Sequence, residues 1–388
     1  MQIIVYGILL VFSLYVIFII WLRIQHPYWS KQPVYHNHKL IYKLYHPGIV
    51  NKIPSPKDRY VDLNSIMFSN FEDQHLFEKV STFISTHYKS RDDIVYKPPP
   101  GDIESYYSSM NSKSFVSFMK HKTDKYDPSG KIITSDIMIG MITTRPISVI
   151  LNKSSMSMEL VDLLCVDPVY RKYNNVPKLI QTHKFHIENS RKCAQIYLFK
   201  NENQQHFNIT PLCKCVNYAF DIFQWKTPIK LKQETILEVT DFTSDLMFEL
   251  LVNSKFKNKL YIDIYTLKSC IKSGILNIYC LKVNHTILGV YVFKKSNSYY
   301  KNEQVFENIC SINLTTNDLF IRGFHHAANM CCVKKRFRYL VIENTSNNDI
   351  IINEVRLSRR PLTEYTVSYY LYNYITKQIN PNESLLLF

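Results

Sequence analysis

Glycine is scarce in this sequence, with 8 in 388 residues, and alanine is also sparse, while Tyr, Asn, Ile and Lys are abundant. That balance is the mark of an AT-rich coding bias and points to a virus or an AT-rich parasite as source. Cysteine is limited to nine, an odd number without framework spacing, so a disulfide scaffold is excluded and reduced structural thiols are expected. Zinc is excluded too, because Cys213-x-Cys215 and Cys331-Cys332 lack partners at ligand spacing. His183, His186 and the His325-His326 pair lack the glutamate and third ligand of a metalloenzyme motif. No dense basic run and no RNA-binding aromatic signature accompany the net charge of +15 and pI near 9.2. Nucleic acid is therefore not the expected partner; the excess lysine suits a solvated face, or a body held beside an anionic bilayer. The apolar run at residues 3–22 has neither a basic flank before it nor a small-residue cleavage site after it, which excludes a cleaved signal peptide.

What is present is a globular composition, 46% hydrophobic, in a chain long enough for two domains of ordinary size. The run IIVYGILLVFSLYVIFIIWL has the length of about 20 residues that a bilayer requires. It reads as a retained transmembrane anchor (1–23). The basic residues that follow it (Arg23, Lys31, Lys39, Lys43) put the body on the cytosolic side of a single-pass membrane protein. Residues 24–60 are punctuated by proline and read as an extended arm that wraps a folded body. Two halves then repeat one α/β pattern. The first half, 61–225, reads as a helix (72–88), strands (137–143, 160–166), a helix (175–191) and a strand (194–199). The second, 226–388, reads as a helix (241–253), strands (286–293, 307–314), a helix (317–332) and a strand (339–343). Gly140 precedes Leu163 by 23 positions and Gly289 precedes Ile312 by the same interval, an internal repeat of one unit.

The organising stretch is Glu159 to Ile180, ELVDLLCVDPVYRKYNNVPKLI. It reads as an apolar strand, a short polar connection and a helix that opens at Asn174 or Asn175 with Pro177 in its first turn. Free backbone N–H groups and the helix dipole make such an opening a place to hold phosphate. Residue by residue, this stretch resembles the acyl-CoA-binding core of eukaryotic N-myristoyltransferases, E-I-N-F-L-C-V-H followed by R-S-K-R-V-A-P. Tyr28-Trp29-Ser30-Lys31-Gln32-Pro33-Val34 is similar to that family's F-W-x-T-Q-P-V segment. Tyr369-Tyr370-Leu371-Tyr372-Asn373-Tyr374, with the terminal Leu-Leu-Leu-Phe, is similar to its Y-Y-L-Y-N-W and apolar C-terminus. The resemblance implies an α/β mixed-sheet fold in which two GNAT-like halves share one continuous saddle-shaped sheet, the first half binding acyl-CoA and the second the peptide.

The resemblance also implies a chemistry. A long acyl chain would move from acyl-CoA, myristoyl-CoA in the family, to the N-terminal glycine amine of a protein. Backbone amides at Leu163 and Leu164 would stabilise the oxyanion and the α-carboxylate of Phe388 would be the base. Burial without a strong cation partner would raise that carboxylate from its reference of about 3.5 towards the value of about 7.8 for an amino terminus. CoA would be held by Tyr28, Trp29, Val166 and the loop Arg171, Lys172, Tyr173, Asn174, Asn175, Val176 and Pro177. Two basic positions of the family loop are lost there, which implies weaker CoA binding. Tyr96, Asn217, Glu364 and Tyr370 would face the peptide. That side departs most: the family's G-D-G becomes Thr363-Glu364-Tyr365, without either glycine. Cys165, in an apolar strand, reads as core. No metal is implied. Two alternatives stay open: a catalytically degenerate protein of this fold that binds acyl-glycine or serves as a structural membrane protein of a virus, and an enzyme that acylates some other amine.

Overall fold

The computed structural model describes residues 2–39, 47–88, 94–108, 113–126, 132–171, 174–202, 209–333 and 335–388. Helix α1 (Gln2–Gln25) carries apolar side chains on every face and nearly all are exposed. Its span Ile3–Gln25, with a mean hydropathy of 2.9, is long and apolar enough to cross a membrane. Among the described residues, the arm that follows holds one short strand, β1 (Gly48–Ile49), and single bridges from Val34 to Tyr372 and from His36 to Ile209. Proline removes donors along it, so scattered backbone bonds, such as Asn373 N–H to Pro33 O and Thr210 N–H to Tyr35 O, both at 2.7 Å, join side chains in place of a long ladder.

The first half comprises β2 (Ile66–Asn70), α2 (Gln74–His87), β3 (Ile94–Tyr96), α3 (Pro100–Tyr107), β4 (Phe115–Tyr126), β5 (Ile132–Leu151), β6 (Ser154–Val166), α4 (Asn175–Arg191), β7 (Tyr197–Asn201) and β8 (Cys213–Asp221). Helix α2 starts where the Asp73 carboxylate accepts from His75 N–H, and buries Phe77, Val80 and Ile84 at helical spacing. The second half adds β9 (Thr235–Glu238), α5 (Ser244–Val252), β10 (Asn258–Tyr261), α6 (Ile264–Lys272), β11 (Leu276–Val283), β12 (Thr286–Tyr300), β13 (Glu303–Asn313), α7 (Asn317–Ala328), β14 (Tyr339–Glu343), α8 (Asn348–Ser358), β15 (Thr363–Tyr372), β16 (Tyr374–Ile375) and β17 (Ser384–Leu387). The helix expected to reach residue 332 ends at Ala328 and continues as a single π-helical turn, Asn329–Val333.

Among the described residues, fifteen strands form one mixed sheet in the order β17-β10-β5-β6-β7-β15-β8-β14-β13-β12-β11-β9, with β4 and β2 beside β5 and β3 beside β12. Each half runs an antiparallel pair into a helix and then a parallel strand: β5-β6-α4-β7 and β12-β13-α7-β14. Gly140 and Gly289 hold matching places. Each lies opposite the end of its partner strand and close under the following helix, where a Cβ would crowd Val166 and touch Leu179 in the first case and crowd Phe320 in the second. The halves interlock, since β15 from the end of the chain lies between β7 and β8. The last strand, β17, runs parallel to β10, which itself pairs with β5 of the first half. This carries the C-terminus to the line where the two halves meet.

Candidate active site

Between β5 and β6 the register slips. Ile142 faces Leu164 and Thr144 faces Val161, so that Asp162 and Leu163 together oppose Thr143. This β-bulge re-aims both residues. Leu163 turns into the main core, and its N–H donates to the Thr143 hydroxyl at 3.1 Å; that hydroxyl also meets Tyr107 Oη at 2.8 Å. Asp162 accepts from Arg145 Nε at 2.9 Å, and the Arg145 guanidinium, 2% exposed, lies 4.6 Å from the Tyr106 ring centre. Burial alone would raise the Asp162 carboxyl, but Arg145 and Lys294 outweigh it and hold the group below the usual range. Before the bulge β6 pairs with β7 through Glu159–Val161; past it the pairing stops.

Beside the bulge lies a cavity of about 210 Å³ whose walls include Tyr96, Tyr106, Tyr107, Leu163, Tyr369 and Phe388. Strand β17 delivers Phe388 to it, and the ring meets Tyr369 edge-on at 5.7 Å. A terminal oxygen of Phe388 accepts from Lys294 Nζ, on β12, at 3.2 Å. The carboxylate therefore has a cation partner, contrary to the condition set for raising it. Asp102, Asp162, Glu202, Glu307, Glu343 and the chain terminus face the cavity against Lys200, Lys294 and Lys295. In a chain of net charge +15, this cavity carries more carboxylates than cations. Such a site favours a cationic ligand.

The other residues singled out from sequence are spread over two faces of the sheet. Tyr96 lines the cavity. Tyr370 does not: side chains alternate along β15, so Tyr369 faces the cavity while Tyr370 stacks on Phe199 at 5.3 Å in the cluster that includes Val34 and Trp29. Leu164 likewise packs on the α4 side with Leu179. Asn217 is buried in β8 opposite Glu343 and Tyr365. Glu364 stands at the surface, 3.6 Å from Arg356. Tyr28 is buried, its hydroxyl accepting from Gln181 Nε2 of α4 at 3.1 Å, and burial pushes its phenol well up. Trp29 stacks on Phe199 at 5.9 Å.

At the phosphate loop, Arg171 Nε donates to Val166 O at 3.0 Å, closing the end of β6 while the residue stays exposed. Asn174 is the residue before α4, in line with one of the two openings read from sequence, and sits in the left-handed region at φ 57° with no side-chain cap bond. The first helical residues, Asn175, Val176 and Pro177, are half-buried, and Asn175 Nδ2 donates to Tyr170 O. This opening and Arg171 suit a phosphate. Lys172 and Tyr173 lie outside the described residues. Cys165 is buried, which pushes its thiol up to about 11 and suits its reading as core. His183 bridges Ser117 and Thr144 between strands, pushed down to about 3 by burial.

Sequence reasoning did not reach Thr143, Tyr107, Arg145, Asp162, Lys294 or Tyr369. Three of them left a signal: Arg145, Asp162 and Lys294 are charges within strands that also carry apolar runs, and burying such a charge costs free energy unless it is paired. Thr143 and Tyr107 left none.

No protein-family model and no curated protein matches the sequence. The fold has clear relatives. Two solved structures of Saccharomyces cerevisiae N-myristoyltransferase with bound myristoyl-CoA align with TM-scores of 0.70 and 0.71, each at 13% identity and over 92% of this chain. The alignments cover 94% and 89% of the yeast chains. At that identity the likeness is one of backbone architecture. This chain is a divergent protein of the N-myristoyltransferase fold.

Proposed function

We propose that this protein is a membrane-anchored N-acyltransferase that moves a long acyl chain from acyl-CoA, myristoyl-CoA in the first instance, to the N-terminal glycine amine of a protein. The observation that carries the reading is the meeting of the chain terminus with the β6 bulge in one cavity. Acyl transfer from a thioester needs oxyanion donors, a base and alignment of the reactants. The Leu163 N–H can supply a donor once it turns from Thr143, with the Leu164 N–H beside it; the Phe388 carboxylate can take the ammonium proton. The neutral amine then adds to the thioester carbon, CoA thiolate leaves and takes the second proton shed by the nitrogen to become the thiol, and the first proton passes from the Phe388 carboxylate to solvent. CoA would lie across the opening of α4 and Arg171, with Val166, Asn174, Asn175, Val176 and Pro177 around it. Trp29 and Tyr370 would flank the arm side; Tyr96, Asn217 and Glu364 would border the peptide. Helix α1 would anchor the protein in the bilayer with the body in the cytosol, where donor and acylated product both partition.

The test is CoA-thiol release by the full chain in detergent, given myristoyl-CoA and a peptide with N-terminal glycine. The same chain lengthened by a few residues after Phe388 runs beside it. Turnover that the extension abolishes is the expected result, and a folded, acyl-CoA-saturated protein without turnover defeats the enzyme reading. A binding protein of the same fold is the second reading. It is favoured by the internal partners of both groups, Thr143 on the Leu163 N–H and Lys294 on the Phe388 carboxylate. Acylation of another amine would appear as turnover without preference for glycine.

A further inference from the structure

We propose that Lys294 is a built-in occupant of the acceptor-amine position, so that an incoming ammonium group has to displace its Nζ from the Phe388 carboxylate before it can bind. The inference rests on reading the cavity as an amine-acylating site. A base must lie within hydrogen-bond reach of the proton it takes, and at 3.2 Å the Lys294 ammonium already fills that reach on a terminal oxygen of Phe388.

The side chain comes from β12, across the cavity from the bulge, where Lys294 pairs with Leu276 of β11 and Glu307 of β13. Asp162 and Glu307 attract its charge, whereas Arg145 and Lys200 repel it; burial is the largest influence and brings the amine below its ordinary value. The Tyr106 ring centre lies 5.1 Å from Nζ. Its cation is thus held loosely in comparison with Arg145, which is sealed behind the wall by Asp162 and Tyr106. A flexible lysine stem allows Nζ to swing off the carboxylate while its charge stays among the acidic groups of the cavity. In effect the protein carries its own weak competitor. Only a cation that gains more than Lys294 does from the carboxylate and from Asp162 and Glu307 will replace it.

The experiment measures binding, so it does not depend on turnover. The full chain in detergent is titrated calorimetrically with a glycine-initiated peptide in the presence of a non-transferable thioether analogue of myristoyl-CoA. Lys294→Met is expected to tighten peptide binding about tenfold, the equivalent of one charge-assisted hydrogen bond at the weak end of its range. The same peptide with an acetylated N-terminus should show no gain. Lys294→Arg, which keeps the charge and can grip the carboxylate with two donors, is expected to weaken binding, and it carries the test should the methionine variant fail to fold. Equal or weaker binding by a folded Lys294→Met, an equal gain for the acetylated peptide, or an arginine variant no different from the parent would each overturn the proposal. Peptide binding to none of the three proteins would overturn it as well. Mass spectrometry of the peptide after incubation with myristoyl-CoA reports separately on acyl transfer. Loss of that reaction with the binding order intact would defeat the enzyme reading and leave the displacement standing.

Discussion

At the scale of single residues, close packing singles out a glycine of the second half. In α7, a Cβ on Gly323 would collide with the Tyr291 hydroxyl and crowd a Leu281 methyl. That hydroxyl is fixed, because it donates to Phe320 O of the same helix at 2.6 Å. Gly323→Ala should therefore destabilise by about 1–3 kcal/mol through overpacking, despite alanine's better helix propensity. Urea unfolding would show it as a lower midpoint at unchanged slope. Thr143 matters for a different reason. Its hydroxyl is the internal acceptor of the Leu163 N–H, so Thr143→Val frees that donor for a ligand oxygen while leaving a buried N–H unsatisfied in the free protein, at a cost of about 1–3 kcal/mol. Under the acyltransferase reading the variant loses stability and gains affinity for myristoyl-CoA. Calorimetric titration together with a melt would separate the two effects.

At the scale of elements, the arm is held by a small polar lock. Gln181 Nε2 of α4 donates to Tyr28 Oη and to Gln32 Oε1 at 2.8 Å, and Tyr372 Oη of β15 donates to the same Gln32 oxygen at 2.7 Å. Further along, Ser55 N–H donates to Glu188 and Asp62 N–H to Thr182, all on α4. Gln181→Leu should strip one donor from two buried oxygens and loosen the arm at its root. Limited proteolysis is expected to cut residues 26–60 faster in the variant while the sheet stays intact; unchanged cutting would show that the proline-rich segment holds by packing alone. Helix α1 poses its own question of length. Tyr15 Oη donates to His38 O at 3.0 Å and Leu22 is buried. The apolar span of α1 runs from Ile3, and its part before Tyr15 covers only about 18 Å at 1.5 Å per residue, short of a bilayer core of about 30 Å. A full span therefore requires the arm to release the lower part of α1. Cross-linking a Tyr15→Cys, His38→Cys pair in detergent and in bilayers would test this, with the link expected in the first and lost in the second.

At the scale of the whole molecule, pH tells on stability through buried histidines. Burial is the main cause that takes His36 and His325 down to about 4 and His183 down to about 3. Each binds its proton more readily unfolded, where the reference is about 6.5, so the native state is fully favoured above that value and loses ground as pH falls from about 6.5 towards 4. Glu159 opposes them, because burial, only partly offset by Arg191, raises it to about 7 and it takes up a proton in the native state over much the same window. Glu343 and Asp349, raised by burial, oppose them as well, while burial also lowers His38 and His186; the histidines outnumber the carboxyls, and a fully buried group contributes about 1.4 kcal/mol per pH unit while it titrates. Thermal melts should show a lower Tm at pH 5 than at pH 7; an unchanged Tm would mean that these histidines are not sealed from water.

The order of elements in the repeated unit was legible from local pattern because amphipathic period and strand composition are properties of neighbouring residues, whereas α3, α6, α8 and the strands around them were not read. The β5-β6-α4-β7 unit and its echo at β12-β13-α7-β14, the apolar N-terminal helix and the likeness to N-myristoyltransferases could all be read along the chain. So could the apolar C-terminus that brings Phe388 inward. Tertiary structure alone decided which side of the sheet each residue faces and what charge stands next to it. A bulge at Asp162 and Leu163 turned one leucine of a pair into the cavity and the other under α4, and alternation along β15 exchanged Tyr370 for Tyr369. The partners of the two central groups came from strands remote in sequence, Thr143 for Leu163 and Lys294 for Phe388, the second across 94 residues. Register and long-range pairing depend on how strands from both halves interleave, and no window of adjacent residues contains that information.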